Sequence, residues 1–194
     1  VLADVARPLL ERQLAIDPLR DYVLIGFGFD AYHSGDWKAA VHWYERAGEL
    51  SPDHPGIGMT LAQTHASAGD LDRMSAAVER YCPTPAAHPL ATLTHVFQHA
   101  LLGEAAEADA LVNDAWTATI WGDFQYTHVM AQAQAALGRS DEALRWLARA
   151  ADRGFIDAPF LAEVDPMLAR LRVQPKSAEL MRRGEGEMGT VREP

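Results

Sequence analysis

The sequence is poor in the features that mark disulfide-built, membrane-spanning or catalytic chains. Its 194 residues include a single cysteine, Cys82. A lone cysteine excludes an internal disulfide and fits a reducing compartment. No apolar run approaches the roughly 18 residues of a membrane-spanning helix, and no signal-peptide pattern opens the chain. Clusters of Lys and Arg that would seek an anionic membrane surface are missing as well. These absences predict no membrane insertion and a cytoplasmic location. Positive charge is scarce: 17 basic residues face 27 acidic ones, for a net charge of −10. Residues 171–194 hold five basic and four acidic residues, which leaves −11 on the first 170. Such a body repels phosphate backbones, so nucleic acid is not an expected partner. There is no phosphate-binding Gly-x-x-x-x-Gly-Lys-Ser/Thr loop, no Gly-x-Gly-x-x-Gly and no Gly-x-Ser-x-Gly elbow. Sustained alternation and Asn-Gly hairpin turns, the signals of β structure, are also lacking.

What the chain does have is a period. Gly35, Gly69, Gly103 and Gly138 lie 34, 34 and 35 residues apart. At the usual glycine frequency this is a coincidence of roughly one per cent. A polar residue follows each glycine: Asp36, Asp70, Glu104 and Arg139. Seven residues before each sit Gly28, Ala62, Val96 and Ala131. Five after sit Ala40, Met74, Ala108 and Ala143; nine after, Tyr44, Val78, Val112 and Leu147; twelve after, Ala47, Tyr81, Ala115 and Ala150. Steps of four and three, as from Ala40 to Tyr44 to Ala47, mark one face of an α-helix. Each unit therefore reads as helix, glycine-centred turn, helix. Glycine suits the reversal because helices commonly end on a left-handed residue. Small residues on both helices allow close backbone approach. Met74 and Tyr81 break that rule in the second unit, which predicts a wider spacing of its helices.

This pattern resembles the tetratricopeptide repeat, a 34-residue antiparallel helix pair. Gly28, Gly35, Ala40, Tyr44, Ala47 and Pro52 match the family register, and the resemblance covers about residues 4 to 154. It implies an all-α, right-handed α-solenoid with a C-terminal helical cap. Ala6, Leu10 and Pro18 carry a second-helix pattern, so residues 1–18 read as the orphan second helix of a partial repeat. With a chain that begins at Val1, this predicts an upstream part. Repeats are expected over 19–52, 53–88 (degenerate), 89–122 and 123–154, a helical cap over 155–183 and a flexible tail over 184–194. The cap segment, with Gly154-Phe155-Ile156, Pro159-Phe160-Leu161, Asp165-Pro166 and Leu171-Arg172, resembles the terminal cap of repeat arrays in bacterial signalling proteins.

Catalytic and metal chemistry find little support. His95 and His99 share a helix face, but Val96 stands where a zinc protease has its glutamate. His65 and His99 occupy equivalent repeat positions and read as packed histidines that use one ring nitrogen for a hydrogen bond. Cys82, before Pro83, has no local activator. No cofactor, metal or catalytic residue is expected; a histidine-based metal protein or enzyme is the less favoured alternative.

In the family that the chain resembles, partner contacts come from positions 13, 10, 6, 3 and 2 before the turn glycine. Carried over, these give Tyr22, Ile25, Phe29, Tyr32 and His33 in the first full unit, and Met59 and Gln63 in the second. The third gives Leu90, Leu93, Phe97 and Leu101; the fourth gives Gln125, His128 and Gln132. None of the positions so reached is Lys, Arg, Asp or Glu, which disfavours the carboxylate-clamping, chaperone-binding subset of the family. The expected function is a non-catalytic interaction scaffold that holds an apolar or aromatic segment. That segment is a separate protein or peptide, another domain of the parent chain, or a second copy; alternatively, the chain itself covers the groove.

Overall fold

The computed structural model describes residues 2–152 and 159–173, without the side chains of 2–6 and 162. The expected tail and parts of the expected cap lie outside the described residues. The chain divides into two units, one ending at Pro83 and the other beginning at Thr84. The first holds α1 (Leu2–Ile16), α2 (Asp21–His33), α3 (Trp37–Leu50), α4 (Pro55–Ser67) and α5 (Leu71–Tyr81). Each helix packs on the next in sequence. The second holds α6 (Pro89–Leu101), α7 (Ala105–Ala110), α8 (Asp114–Ile120), α9 (Phe124–Ala136) and α10 (Ser140–Asp152). Here α6 packs on α7 and α9, and α9 on α10. A single turn of 3₁₀-helix over Pro85–Ala87 precedes α6, and a π-helical turn over Phe160–Val164 follows α10. The protein is all-α, and its helices pair sequentially.

All four periodic glycines are left-handed, with φ of 76°, 79°, 78° and 74° for Gly35, Gly69, Gly103 and Gly138. Each closes the same pair of hydrogen bonds. Gly35 N–H donates to Tyr32 O at 3.0 Å, and Asp36 N–H to Ala31 O at 3.0 Å. The same two bonds recur at Gly69, Gly103 and Gly138. This is the Schellman arrangement, which satisfies carbonyls that the helix end would otherwise orphan. The polar residue after each glycine then has its own task. Asp36 and Asp70 cap the next helix, accepting from Ala39 N–H and Arg73 N–H at 3.0 Å each. Glu104 instead meets His99, and Arg139 pairs with Asp109.

Small residues set the packing of the pairs. A Cβ placed on Gly28 would come within 2.6 Å of Tyr44 Cδ1, so the Tyr44 ring packs directly against the α2 backbone at Gly28. Tyr81, the large residue of the second pair, is received by two glycines. Its hydroxyl lies over Gly48 of α3, and a Cβ on Gly58 of α4 would sit 2.6 Å from Tyr81 Cβ. The bulk of Tyr81 thus meets space left at Gly48 and Gly58.

The third pair departs from the period. One continuous second helix is expected from Ala105 onward, yet α7 ends at Ala110 and α8 starts at Asp114. Asn113 causes the interruption: its side chain accepts from Trp116 N–H at 3.0 Å and begins a new helix. The new direction turns Trp116 and Ile120 into the core, and Trp116 Nε1–H donates to Pro89 O at 3.0 Å. Burying two such side chains contributes roughly 1.5–3 kcal/mol each. That exceeds the ~1 kcal/mol of each helical hydrogen bond lost at the break.

Candidate partner-binding surface

The face of α2 is partly open. Tyr22, Ile25, Phe29 and His33 follow one another at three- and four-residue steps and share one face of the helix. Tyr22 is 72% exposed, while Ile25, Phe29 and His33 are half-buried. Phe29 and His33 rings lie 4.2 Å apart. Tyr32 is buried: its hydroxyl meets Ser67 Oγ at 3.1 Å, and its ring packs on Trp37 at 5.1 Å. This stiffens α2 against its neighbours and leaves an uncharged, largely aromatic strip at the surface.

The other positions assigned from the repeat offsets are mostly closed. Met59, Gln63, Leu90, Leu93, Phe97, His128 and Gln132 are buried along with Tyr32, while Leu101 and Gln125 are half-buried. The expectation is of an open groove; in the structure these side chains are covered. The reason is clearest on α9. Asp165, from the segment after α10, is fully buried, and its Oδ2 accepts from His128 Nε2 and from Gln132 Nε2 at 2.9 Å each. Asp165 Oδ1 accepts from Met167 N–H at 2.9 Å. Phe160 meets the His128 ring edge-on, with centroids 5.9 Å apart. Arg172 completes the fastening, donating from Nε to Leu161 O at 3.0 Å and from Nη2 to Asp165 O. A buried carboxylate is tolerable only with such a set of donors. The repeat offsets miss Asp165 and Phe160, although both stand in the cap motif. What the sequence lacks is any local sign that their partners lie on α9.

An open cleft of about 740 Å³ flanks the break between α7 and α8, with Val112, Met130, Gln134, Arg139 and Trp146 in its lining. Its one lining guanidinium is engaged: Arg139 Nη1 and Nη2 donate to the two carboxylate oxygens of Asp109 at 2.6 and 2.7 Å. That guanidinium holds the Asp109 carboxyl below its ordinary range. Glu142, also in the lining, is paired with Arg145. Asp141 lines the cleft beside it.

The histidines stay apart as potential ligands. His95 and His99 rings are 6.1 Å apart, and His99 Nδ1 is 2.6 Å from Glu104 Oε2. His65 is buried, and burial lowers its pKa. Among the described residues no three His, Cys, Asp or Glu side chains converge as a metal site. Cys82 is buried, with Sγ 3.7 Å from Pro55 O. No helix among the described residues is long and apolar enough to cross a membrane.

Compared with known proteins, the chain matches no family model, and no curated protein is significantly similar to it.

Proposed function

We propose that the protein is a non-catalytic interaction scaffold of tetratricopeptide type. In this reading the helix pairs stack as a right-handed α-solenoid, and the protein works in the cytoplasm as part of a larger bacterial signalling or regulatory chain. The observation that carries the reading is the α2 face: aromatic, uncharged and partly solvent-exposed, on a helix locked in place by Tyr32 and Gly28. A rigid helix with an apolar strip suits an aliphatic or aromatic peptide laid along it. The four identical glycine turns support the repeat assignment.

Peptide display tests this. Random dodecapeptides shown on phage are panned against the full chain and against a Tyr22→Ala/Phe29→Ala variant of unchanged helicity. Enrichment of aromatic or aliphatic sequences by the wild type and its loss in the variant is the expected result. Equal enrichment by both would move the binding surface off α2.

Self-association is a second reading, favoured by a separate observation. Leu9, Ile16 and Leu19 are 56%, 83% and 73% exposed close to Tyr22 in the chain. Apolar surface of this kind, where contiguous, marks contact sites. Sedimentation at two concentrations, with Leu9→Lys/Ile16→Lys as the control, separates monomer from dimer.

A further inference from the structure

We propose that His54 and His88 are a matched pair of acid-labile helix caps, through which mild acid loosens the entry ends of the second and third helix pairs. The inference goes beyond the scaffold reading and depends on no partner. Both residues stand fifteen positions before a turn glycine, Gly69 or Gly103, and a proline follows each, Pro55 or Pro89. Each begins a first helix, α4 or α6, from extended backbone. Each ring is used in the same way: His54 Nδ1 accepts from Gly56 N–H, and His88 Nδ1 from Leu90 N–H, at 3.1 Å each. A backbone amide only donates, so Nδ1 is the bare nitrogen in both rings and Nε2 carries the proton. A second proton turns Nδ1 into a donor. The cap bond is then lost, and an imidazolium stands at the positive end of the helix dipole. Imidazole ordinarily takes up that proton near about pH 6.5. The fourth pair is built differently. Asp123 holds the same register before Gly138 and accepts from Gln125 and Tyr126 N–H at 2.8 and 3.2 Å. A carboxylate cap does not change charge over the range in which imidazole ordinarily titrates.

The capped turns also fasten later parts of the chain. Cys82 Sγ donates to Pro55 O at 3.7 Å, and Trp116 Nε1–H to Pro89 O at 3.0 Å. Cys82 and Trp116 each stand thirteen residues after their turn glycine, so the two fastenings are equivalent. Fraying the first turn of α4 therefore loosens Cys82, and fraying that of α6 loosens the Trp116 anchor. The electrostatic surroundings of the two rings differ. Asp21 of α2 faces His54; its carboxyl is held below its ordinary range by the Ser51 hydroxyl and, to a smaller degree, by His54. A protonated His54 thus has a carboxylate to turn to when it leaves the cap. No ion pair reaches His88 among the described residues. Acid switches partners at α4 and removes one at α6.

The test compares the full chain with a His54→Asn/His88→Asn variant, since asparagine caps a helix without titrating. Urea unfolding is followed at about pH 7.5 and about pH 5.5. Over that range the folding equilibrium constant of the wild type should fall roughly fivefold further than that of the variant. The remaining histidines are common to both proteins and cancel. Labelling of Cys82 by a dipyridyl disulfide, which reacts with thiols in acid, reads α4 by itself. At the lower pH it should run roughly fivefold faster in the wild type than in His54→Asn, and at the higher pH equally fast. On the unaltered protein, the amide resonances of Gly56 and Leu90 should shift between the two pH values in step with the ring signals of His54 and His88. Those of Gln125 and Tyr126 should stay in place. Parallel stability profiles, equal labelling in acid, or Gly56 and Leu90 resonances that do not follow their rings would each overturn the proposal.

Discussion

The second helices of two repeats, α3 and the α7–α8 pair, begin from the same turn and end differently. Ala40, Tyr44 and Ala47 of α3 are all buried. Their equivalents in the third repeat are Ala108, buried, Val112, half-buried, and Ala115, exposed. The turns themselves match, with glycine φ of 76° and 78°. A glycine reversal thus starts a helix pair, but continuity of the second helix needs something to hold its later turns. In α3 that is the Tyr44 ring seated on Gly28. The third repeat has Val96 and Val112 at these places, no ring and no seat, and Asn113 redirects the chain until Trp116 and Ile120 supply the anchor.

The sharpest way to break this comparison is to remove the ring. Tyr44→Ala should cost about 3–5 kcal/mol in urea unfolding, whereas Val112→Ala should stay within about 1 kcal/mol. The ring, not its hydroxyl, does the holding. Burial pushes the Tyr44 phenol pKa up, and the hydroxyl has no hydrogen-bond partner among the described residues. Tyr44→Phe should therefore be neutral or stabilising, and a clear loss would reveal a missed partner. Overpacking comes next in size. Ala47→Leu and Ala108→Leu should each cost roughly 1–3 kcal/mol, and Ala115→Leu, at an equivalent sequence position but exposed, about 0.5 kcal/mol or less. Equal losses at 47 and 115 would mean that the third repeat has an unbroken helix in solution. Substituting the glycines sharpens the common part. Gly35→Ala and Gly103→Ala should each lose about 1–2 kcal/mol from left-handed strain. At Gly103 strain is the whole effect, since a Cβ there meets nothing within 4 Å.

The smallest effects are electrostatic. Asp109→Asn breaks the clasp to Arg139 and should cost less than about 1 kcal/mol, because both side chains are substantially exposed. The Asp109 carboxyl is held low by Arg139, so the clasp persists above the ordinary aspartate value of about 3.9 and is lost as pH falls through its lowered folded value. His65 tests acidification at milder pH. Burial disfavours its charged ring, so the unfolded chain takes up the proton first. Its contribution is complete above about pH 6.5 and declines as pH falls below it. His65→Gln should flatten that part of the stability profile measured by denaturant midpoints.

The turns were the most legible part of the fold. A single residue type carries the signal, and Gly35, Gly69, Gly103 and Gly138 all adopt the conformation that only glycine takes cheaply. The helical faces were legible because burial repeats at steps of three and four. The break at 111–113 was not, because Asn113 is a local capping choice that competes with the repeat spacing and wins through a distant contact, Trp116 to Pro89. Nor did Tyr81 disclose its accommodation, which depends on Gly48 and Gly58 of other helices. The site was legible only as a set of helix faces. Offsets from a glycine say which way a residue points but not what later lies over it, and Asp165 reaches His128 across 37 residues of chain.

The tight reversals also bear on the order of assembly. Gly28 and Tyr44, joined across one turn, are neighbours in the chain on the scale at which loops of about ten residues close within 10–100 ns. Contacts so local favour rapid collapse of a helix hairpin before distant parts arrive. The Asp165 bridge has the opposite character: its longer loop must be closed and a carboxylate stripped of water before any bond is gained. During synthesis or refolding it is the last of these contacts to form, so the hairpins are in place before α9 is covered.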